Sequence, residues 1–208
     1  MLLTWFCARM PGLVTPDLLT LMAFVSAAIV CAAYWLSAYD SAWLWLAVAG
    51  YVGHWFGDSL DGSLARFRKI ERPSYGYFID HSSDGLTTLM MLGGFGLSPY
   101  VRMDVALFAV TAYLLLSIHS YLLARVSSDF PMSHAGMGPT EARILLIGLT
   151  IAMYIFGTGQ PLIGPLAIFD IIFIALTCVL LLMFILGTAR AGRILAGRDN
   201  KGRNSHLK

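Results

Sequence analysis

The sequence predicts an all-α integral membrane protein, a bundle of six transmembrane helices with both termini cytoplasmic. Of its 208 residues, 58% are hydrophobic and only 12% are charged, and the mean hydropathy is +0.72. A soluble domain carries about 25% charged residues, so the solvent around most of this chain must be lipid. Six stretches hold the roughly 20 mostly apolar residues that a spanning helix needs. They are residues 18–38, 42–66, 75–97, 103–126, 140–156 and 166–188.

The distribution of basic residues gives the orientation. With six spans, both termini and the second and fourth loops lie on one side of the membrane. All but one of the 14 Lys and Arg residues fall on that side, and Arg102 is the exception. Cytoplasmic loops carry the excess of Lys and Arg in membrane proteins. We therefore expect a multi-pass protein of the cell (inner) membrane.

Three segments are predicted: a juxtamembrane segment over 1–17, a six-helix transmembrane domain over 18–188, and a basic cytoplasmic tail over 189–208. Thr15 and Asp17 flank Pro16 and are typical of a helix start, with a capping hydroxyl and a first-turn acid. The tail is read as a frayed end of the last helix or as an anchor on anionic lipid.

Glycine and proline clusters predict two further loops, over 127–139 and 157–165. The helix that follows the first of these loops is predicted to be capped by Thr140, with Glu141 in its first turn.

Four aspartates near the cytoplasmic ends of the second and third spans carry the chemistry. A charge inside a spanning helix costs about 2.5–3.5 kcal/mol on insertion scales, so four repelling anions need a bound cation. Helical spacing places each pair on one helix face, and the short loop between the two spans lets these faces meet. Carboxylate ligands favour Mg²⁺ or Mn²⁺, with Ca²⁺ a further candidate. The four are Asp58, Asp61, Asp80 and Asp84.

These aspartates belong to a longer motif. The chain reads Asp58-x-x-Asp61-Gly62-x-x-Ala65-Arg66 and then, after residues 67–75, Gly76-x-x-x-Asp80-x-x-x-Asp84. This pattern resembles the signature of the CDP-alcohol phosphotransferase family at every defining position and at a permitted spacing. The six-helix plan is also similar to that of the family, so the resemblance extends over most of the chain.

The resemblance implies roles for the motif residues. Asp58, Asp61 and Asp80 would hold two metal ions with help from Asp84, and Asp84 would also be the general base that deprotonates the acceptor alcohol. The family further implies a homodimer. The CDP site would be lined by Gly62, Ala65, Arg66 and Gly76.

A candidate acceptor pocket is less sharply defined. His119 and Arg125 lie toward the cytoplasmic end of the fourth span, and Glu141 and Arg143 begin the fifth on the same side. Helix capping and packing account for these residues equally well. The string at 138–141 is similar to one in choline and ethanolamine phosphotransferases. A carboxylate suits an amino alcohol and arginines suit a phosphorylated alcohol, so the acceptor stays open.

The leading functional hypothesis is transfer of a phosphatidyl group from CDP-diacylglycerol to a polar alcohol in phospholipid synthesis, with release of CMP. The alternative enzyme would use a CDP-amino alcohol as donor and diacylglycerol as acceptor. A divalent-cation transporter is disfavoured because the outer halves of the second and third spans carry no charge. An inactive scaffold is disfavoured by the complete motif. The expected partners are lipid substrates and membrane lipid, and no nucleic acid.

Overall fold

The computed structural model describes residues 2–126 and 138–205, with side chains as far as Arg198. Within these ranges the chain is all-helical apart from its turns and loops, which confirms the all-α part of the predicted fold class. An isolated bridge between Ile163 and Leu166 closes the turn before the last helix. The helices are α1 Leu2–Arg9, α2 Pro16–Leu36, α3 Trp43–Arg68, α4 Pro73–Phe95, α5 Met103–Val126, α6 Pro139–Phe156 and α7 Ile168–Ser205.

Four helices in the described part of the chain are long and apolar enough to cross a membrane: α2, α5, α6 and the stretch Ile168–Arg198 of α7. Large apolar side chains cover their outer faces, for example Phe108, which is 67% exposed, and Phe156, which is 75% exposed. The helices α3 and α4 are long enough, with 26 and 23 residues. Their polar and charged residues keep them out of the set that is apolar enough to cross a membrane by composition. The count of six spans therefore stays a prediction.

The ends of the helices partly follow the sequence prediction. Thr15 caps α2, with its Oγ1 accepting a hydrogen bond from the Leu18 amide at 3.2 Å. The predicted cap at Thr140 is wrong. Gly138 occupies the capping position of α6, and its amide donates to the Glu141 carboxylate at 2.9 Å. Thr140 therefore lies in the first turn of α6, which begins at Pro139.

The structure covers little of the predicted loop over 127–139 and most of the predicted tail over 189–208. Most of the predicted loop over 127–139 lies outside the described residues, as do 206–208 at the end of the predicted tail. The helix α7 continues without a break through the segment predicted as a tail, as far as Ser205. Charged residues do not by themselves end a helix, and Ala, Leu and Arg are good helix formers.

A stripe of glycines brings α3 against α2. A Cβ atom on Gly57 would lie 2.5 Å from the Leu19 carbonyl oxygen, and one on Gly53 would lie 2.8 Å from Ser26 Oγ. A Cβ on Gly50 would meet Val30 at 2.7 Å. Small residues allow close backbone approach between helices in lipid. These glycines therefore let α2 and α3 pack closely together beside the aspartates.

The larger cluster of buried apolar side chains lies toward the end of the bundle away from the aspartates, which we call the distal end. Here the hydroxyl of Tyr34 lies 2.6 Å from Thr150 Oγ1 and 3.3 Å from the hydroxyl of Tyr51. Thr150 also donates to the Leu146 carbonyl at 2.7 Å. The ring of Phe95 packs on Tyr34, with centroids 4.1 Å apart. This network ties α2, α3 and α6 together.

A buried carboxylate closes the distal end. Asp170 is only 3% exposed. Its oxygens accept hydrogen bonds from the backbone amides of Arg102 at 2.8 Å and Ala167 at 2.9 Å. The side chain therefore caps the start of α7 and holds the loop before α5 against it.

Candidate metal centre and substrate site

Three of the four motif aspartates come together between α3 and α4. Asp58, Asp80 and Asp84 each offer a carboxylate oxygen, and these oxygens all lie within 4.8 Å of one another. All three residues are half-buried. Asp80 and Asp84 are one turn apart on α4, so they present their side chains on the same face. Oxygen donors at this separation fit a hard divalent cation such as Mg²⁺ or Mn²⁺.

Asp61 is turned away from this cluster toward α2. Its Oδ2 accepts a hydrogen bond from Thr20 Oγ1 at 2.8 Å, and its Oδ1 accepts one from the Gly62 amide at 2.5 Å. Helix geometry explains the difference. Asp61 follows Gly57 by one turn and so continues the stripe that faces α2, whereas Asp58 lies about 60° away around the helix.

Among the described contacts, Arg143 is the cationic side chain that reaches the aspartate cluster. Its Nη2 donates to Asp58 Oδ2 at 2.7 Å across the α6–α3 contact. The Arg143 residue is buried, at 8% exposure. Breaking a buried ion pair by removing one partner is costly, because the other charge is left uncompensated. The pair therefore compensates one of the clustered carboxylates.

Two histidines border the aspartates. His54 lies one turn before Asp58 and is 2% exposed, and its Nδ1 has no hydrogen-bond partner among the described residues. His81 Nδ1 lies 3.6 Å from the Asp80 carboxylate. The His81 ring is held between Tyr77 and Tyr121, with centroid distances of 4.1 and 4.6 Å. The side chain that follows Asp80 is thus fixed by rings from α4 and α5.

The residues that the family resemblance assigns to the CDP site lie at the aspartate end. Gly62 lies beside Arg66, since a Cβ on Gly62 would be 3.4 Å from Arg66 Nη1. Arg66 is exposed, and its Nη2 donates to Ser63 Oγ at 3.4 Å. Ala65 is half-buried. Gly76 is exposed in the first turn of α4, with open space where a Cβ would stand.

A cavity of about 520 Å³ lies beside Arg66, between α1 and the end of α3. Both faces of the cavity are mixed, with apolar side chains next to hydroxyls and the guanidinium. The residues that line it are Leu2, Leu3, Thr4, Cys7, Ser63, Arg66 and Phe67.

The described contacts lead the four residues considered for an acceptor pocket to different partners. His119 faces α7, where its Nδ1 lies 3.1 Å from Thr188 Oγ1 and its ring packs against Gly187. Arg125 is exposed. Glu141 is also exposed and caps α6. Among the described contacts, Arg143 is the member of this set that reaches the aspartates.

Two arginines near the loop between α3 and α4 bond the segment before α2 and the start of α2. Arg68 donates to the Val14 carbonyl at 2.5 Å and to the Pro11 carbonyl at 2.8 Å. Arg72, in the loop between α3 and α4, forms an ion pair with Asp17 at the start of α2. The hydrogen bond to Asp17 raises the pKa of the Arg72 guanidinium above its ordinary value. These contacts hold the ends of α2, α3 and α4 together.

Sequence reasoning missed Thr20 and did not foresee the partner of Arg143. A signal for Thr20 was present, because Gly50, Gly53, Gly57 and Asp61 follow a spacing of three, four and four residues. That stripe predicts that Asp61 continues the α2-facing surface. No comparable pattern indicates that Arg143 meets Asp58, 85 residues away.

Comparison with known proteins gives the family. The family model described as CDP-alcohol phosphatidyltransferase matches residues 13–196, which include the whole motif and all six predicted spans. A comparison with curated proteins found no matching relative. The match confirms the resemblance that the aspartate motif carries. The chain therefore belongs to the CDP-alcohol phosphatidyltransferase family.

Proposed function

We propose that this enzyme transfers a phosphatidyl group from CDP-diacylglycerol to a polar alcohol and releases CMP. Family membership makes it a membrane transferase of phosphate-containing groups in phospholipid synthesis. The observation that carries the finer proposal is the set of three carboxylates within 4.8 Å in a chain with the complete motif. Arg66 beside Gly62 supports a diphosphate site next to it.

Asp84 is proposed to accept the proton of the acceptor hydroxyl. The hydroxyl oxygen then forms a bond to the phosphorus that carries diacylglycerol. The bridging bond between that phosphorus and the CMP oxygen breaks, and CMP leaves with the electron pair. A positioned general base contributes about 10²–10⁴ in rate. Asp84 is half-buried and clustered with Asp58 and Asp80, which suits a group that acts beside the donor phosphates.

Asp58, Asp80 and Asp84 would hold the divalent cation, Mg²⁺ or Mn²⁺, and a two-metal site would also need Asp61. When bound, such ions stabilise negative charge on the diphosphate and on the leaving CMP. Asp61 now bonds Thr20 and the Gly62 amide, so its carboxylate is already oriented. We propose that Gly62, Ala65, Arg66 and Gly76 line the CDP site, since small residues leave room for the nucleotide.

The setting of the site is also part of the proposal. The basic residues on the aspartate side of the chain support a cytoplasmic site in the inner membrane. We further propose six spans over 18–188, between a juxtamembrane segment at 1–17 and a basic segment at 189–208, and a homodimer. Crosslinking in native membranes measures the dimer, and labelling of single cysteines on either side measures the orientation.

The test is CMP release by the purified protein in lipid or detergent. CDP-diacylglycerol is supplied with each of glycerol 3-phosphate, inositol phosphate, serine, choline and ethanolamine, with Mg²⁺, with Mn²⁺ or with EDTA. We expect CMP release with one acceptor class in the presence of a divalent cation and none with EDTA. Turnover that EDTA leaves unchanged contradicts the metal-dependent mechanism.

A parallel reaction separates the alternative donor. CDP-choline or CDP-ethanolamine is supplied with diacylglycerol under the same conditions. CMP release in this reaction alone would replace CDP-diacylglycerol by the amino-alcohol donor. Cation uptake into sealed vesicles without CMP release from any donor would favour transport instead.

A further inference from the structure

The contact between Arg143 and Asp58 places a protein cation on a carboxylate that belongs to the metal cluster. The guanidinium nitrogen lies 2.7 Å from Asp58 Oδ2, and the Arg143 side chain is 10% exposed against 23% for Asp58. Asp58 is also the one member of the cluster that α3 contributes, since Asp80 and Asp84 both come from α4. The pair therefore lies at the junction of α3, α4 and α6.

We propose that Arg143 is a positioning residue that competes with the divalent cation for Asp58. With no metal bound, the guanidinium neutralises part of the cluster and keeps the Asp58 carboxylate in place. A cation that binds all three aspartates has to share the Asp58 carboxylate with Arg143, whose guanidinium already bonds Oδ2. This inference rests on the metal cluster of the proposed function and goes beyond it, because it concerns what sets the affinity for the metal.

Three physical effects act in the same direction. The guanidinium occupies an Asp58 oxygen, it repels a divalent cation at short range, and it lowers the repulsion among the carboxylates that a metal would otherwise relieve. Arg143 thus weakens metal binding while it stabilises the metal-free protein. The competing interpretation, in which Arg143 merely orients Asp58 for the metal, predicts the opposite effect of its removal on metal affinity.

The experiment measures Mn²⁺ binding to purified protein by electron paramagnetic resonance, without any substrate. Removal of the guanidinium in Arg143→Gln is expected to tighten Mn²⁺ binding by about tenfold, given one unit charge removed at short range in a partly buried site. Arg143→Lys keeps a cation at the site and is expected to stay within about threefold of the wild type. Arg102→Gln removes a charge at the distal end and is expected to leave the affinity unchanged.

Thermal unfolding gives a second measurement that does not depend on catalysis. Without metal, Arg143→Gln is expected to unfold at a lower temperature than the wild type, and Mn²⁺ is expected to raise its midpoint by more than it raises that of the wild type. If the variant stays folded only with Mn²⁺ and refolds when Mn²⁺ returns, the proposal is supported. If it is unfolded in both conditions, the affinity of Arg143→Lys decides, and a change beyond about threefold overturns the proposal.

Unchanged or weaker Mn²⁺ binding in folded Arg143→Gln overturns the inference and leaves the proposed function standing. If the wild type neither binds Mn²⁺ nor releases CMP, the proposed function itself is contradicted. The two failures are therefore distinguishable in the same set of measurements.

Discussion

The two ends of the bundle treat buried polar groups in opposite ways. At the distal end, the buried carboxylate of Asp170 accepts hydrogen bonds from two backbone amides, and the hydroxyl of Tyr34 bonds those of Tyr51 and Thr150. At the aspartate end, three half-buried carboxylates approach within 4.8 Å, with Arg143 as the cation that the described contacts place on one of them. The distal polar groups bond one another or the backbone, whereas the three clustered carboxylates repel one another and share one described arginine.

This difference indicates what each end is for. Satisfied buried groups stabilise one packing arrangement, whereas clustered like charges cost stability and persist where a site needs them. Substitutions at the distal end should therefore reduce stability and spare turnover. Substitutions of Asp80 or Asp84, which lie outside the Arg143 pair, should reduce turnover and spare stability. The following predictions test this contrast.

The largest effect is expected for Asp84→Asn at the aspartate end. Loss of the proposed base should reduce kcat for CMP release by about 10²–10⁴. The thermal midpoint of the metal-free protein should not fall, because the substitution removes one of three repelling charges. Turnover above half of the wild-type value would contradict the role of Asp84.

Asp170→Ala makes the matching change at the distal end. Two backbone amides would lose their acceptor, which should lower the free energy of unfolding by about 2–3 kcal/mol. CMP release per folded molecule should stay near the wild-type value. Asp104→Ala is the control, because its carboxylate is exposed and pairs with Arg102, so it should cost less than about 1 kcal/mol. Equal losses in both variants would argue against the cap.

Thr20→Val tests the link between α2 and Asp61. Without the hydroxyl, Asp61 loses the 2.8 Å hydrogen bond that orients it, and metal affinity or activity should fall by about 10–100-fold. Thr20→Ser should retain most of the activity. Thr111→Val is the matched control, since that exposed hydroxyl donates only to the Leu107 carbonyl among its described contacts. Equal activity in all three variants would show that Thr20 is not part of the site.

The smallest effect is expected for Tyr34→Phe. The substitution removes the hydroxyl that lies between Thr150 and Tyr51, and it should cost about 1 kcal/mol of unfolding free energy. Thr150 still donates to Leu146, so one of the partners stays satisfied. Tyr39→Phe, at a 76% exposed position, should be neutral. A loss of CMP release without loss of stability would break the contrast between the two ends.

Local features of the fold were predictable from the sequence. The helical class, the approximate helix bounds and the Thr15 cap follow from apolar runs and capping residues. Thr140 misled because a hydroxyl is the usual cap, whereas here Glu141 satisfies the Gly138 amide. The continuation of α7 was missed because the basic segment was read as the end of a span, and charge ends a span without ending a helix.

Contacts between distant helices were less accessible. The motif predicts which aspartates matter, but not that Asp61 turns toward Thr20 while Asp58 pairs with Arg143. The glycine stripe on α3 indicates that Asp61 faces α2, but it does not name Thr20 as the partner. The approach of α6 to α3, which brings Arg143 to Asp58, follows from no local pattern in either helix. The family match extends the prediction to the reaction class, since that is encoded in the aspartates themselves.

The glycine stripe on α3 has a consequence for how the site responds to its surroundings. Where Gly57 meets the Leu19 carbonyl, no side-chain torsion lies between the two main chains. The distance between the two helices there is set by contact between main-chain atoms. No side chain at this contact can change its rotamer when the bilayer thickens, thins or warms. The distance between Thr20 and Asp61, one turn away, should therefore change very little when the lipid composition changes.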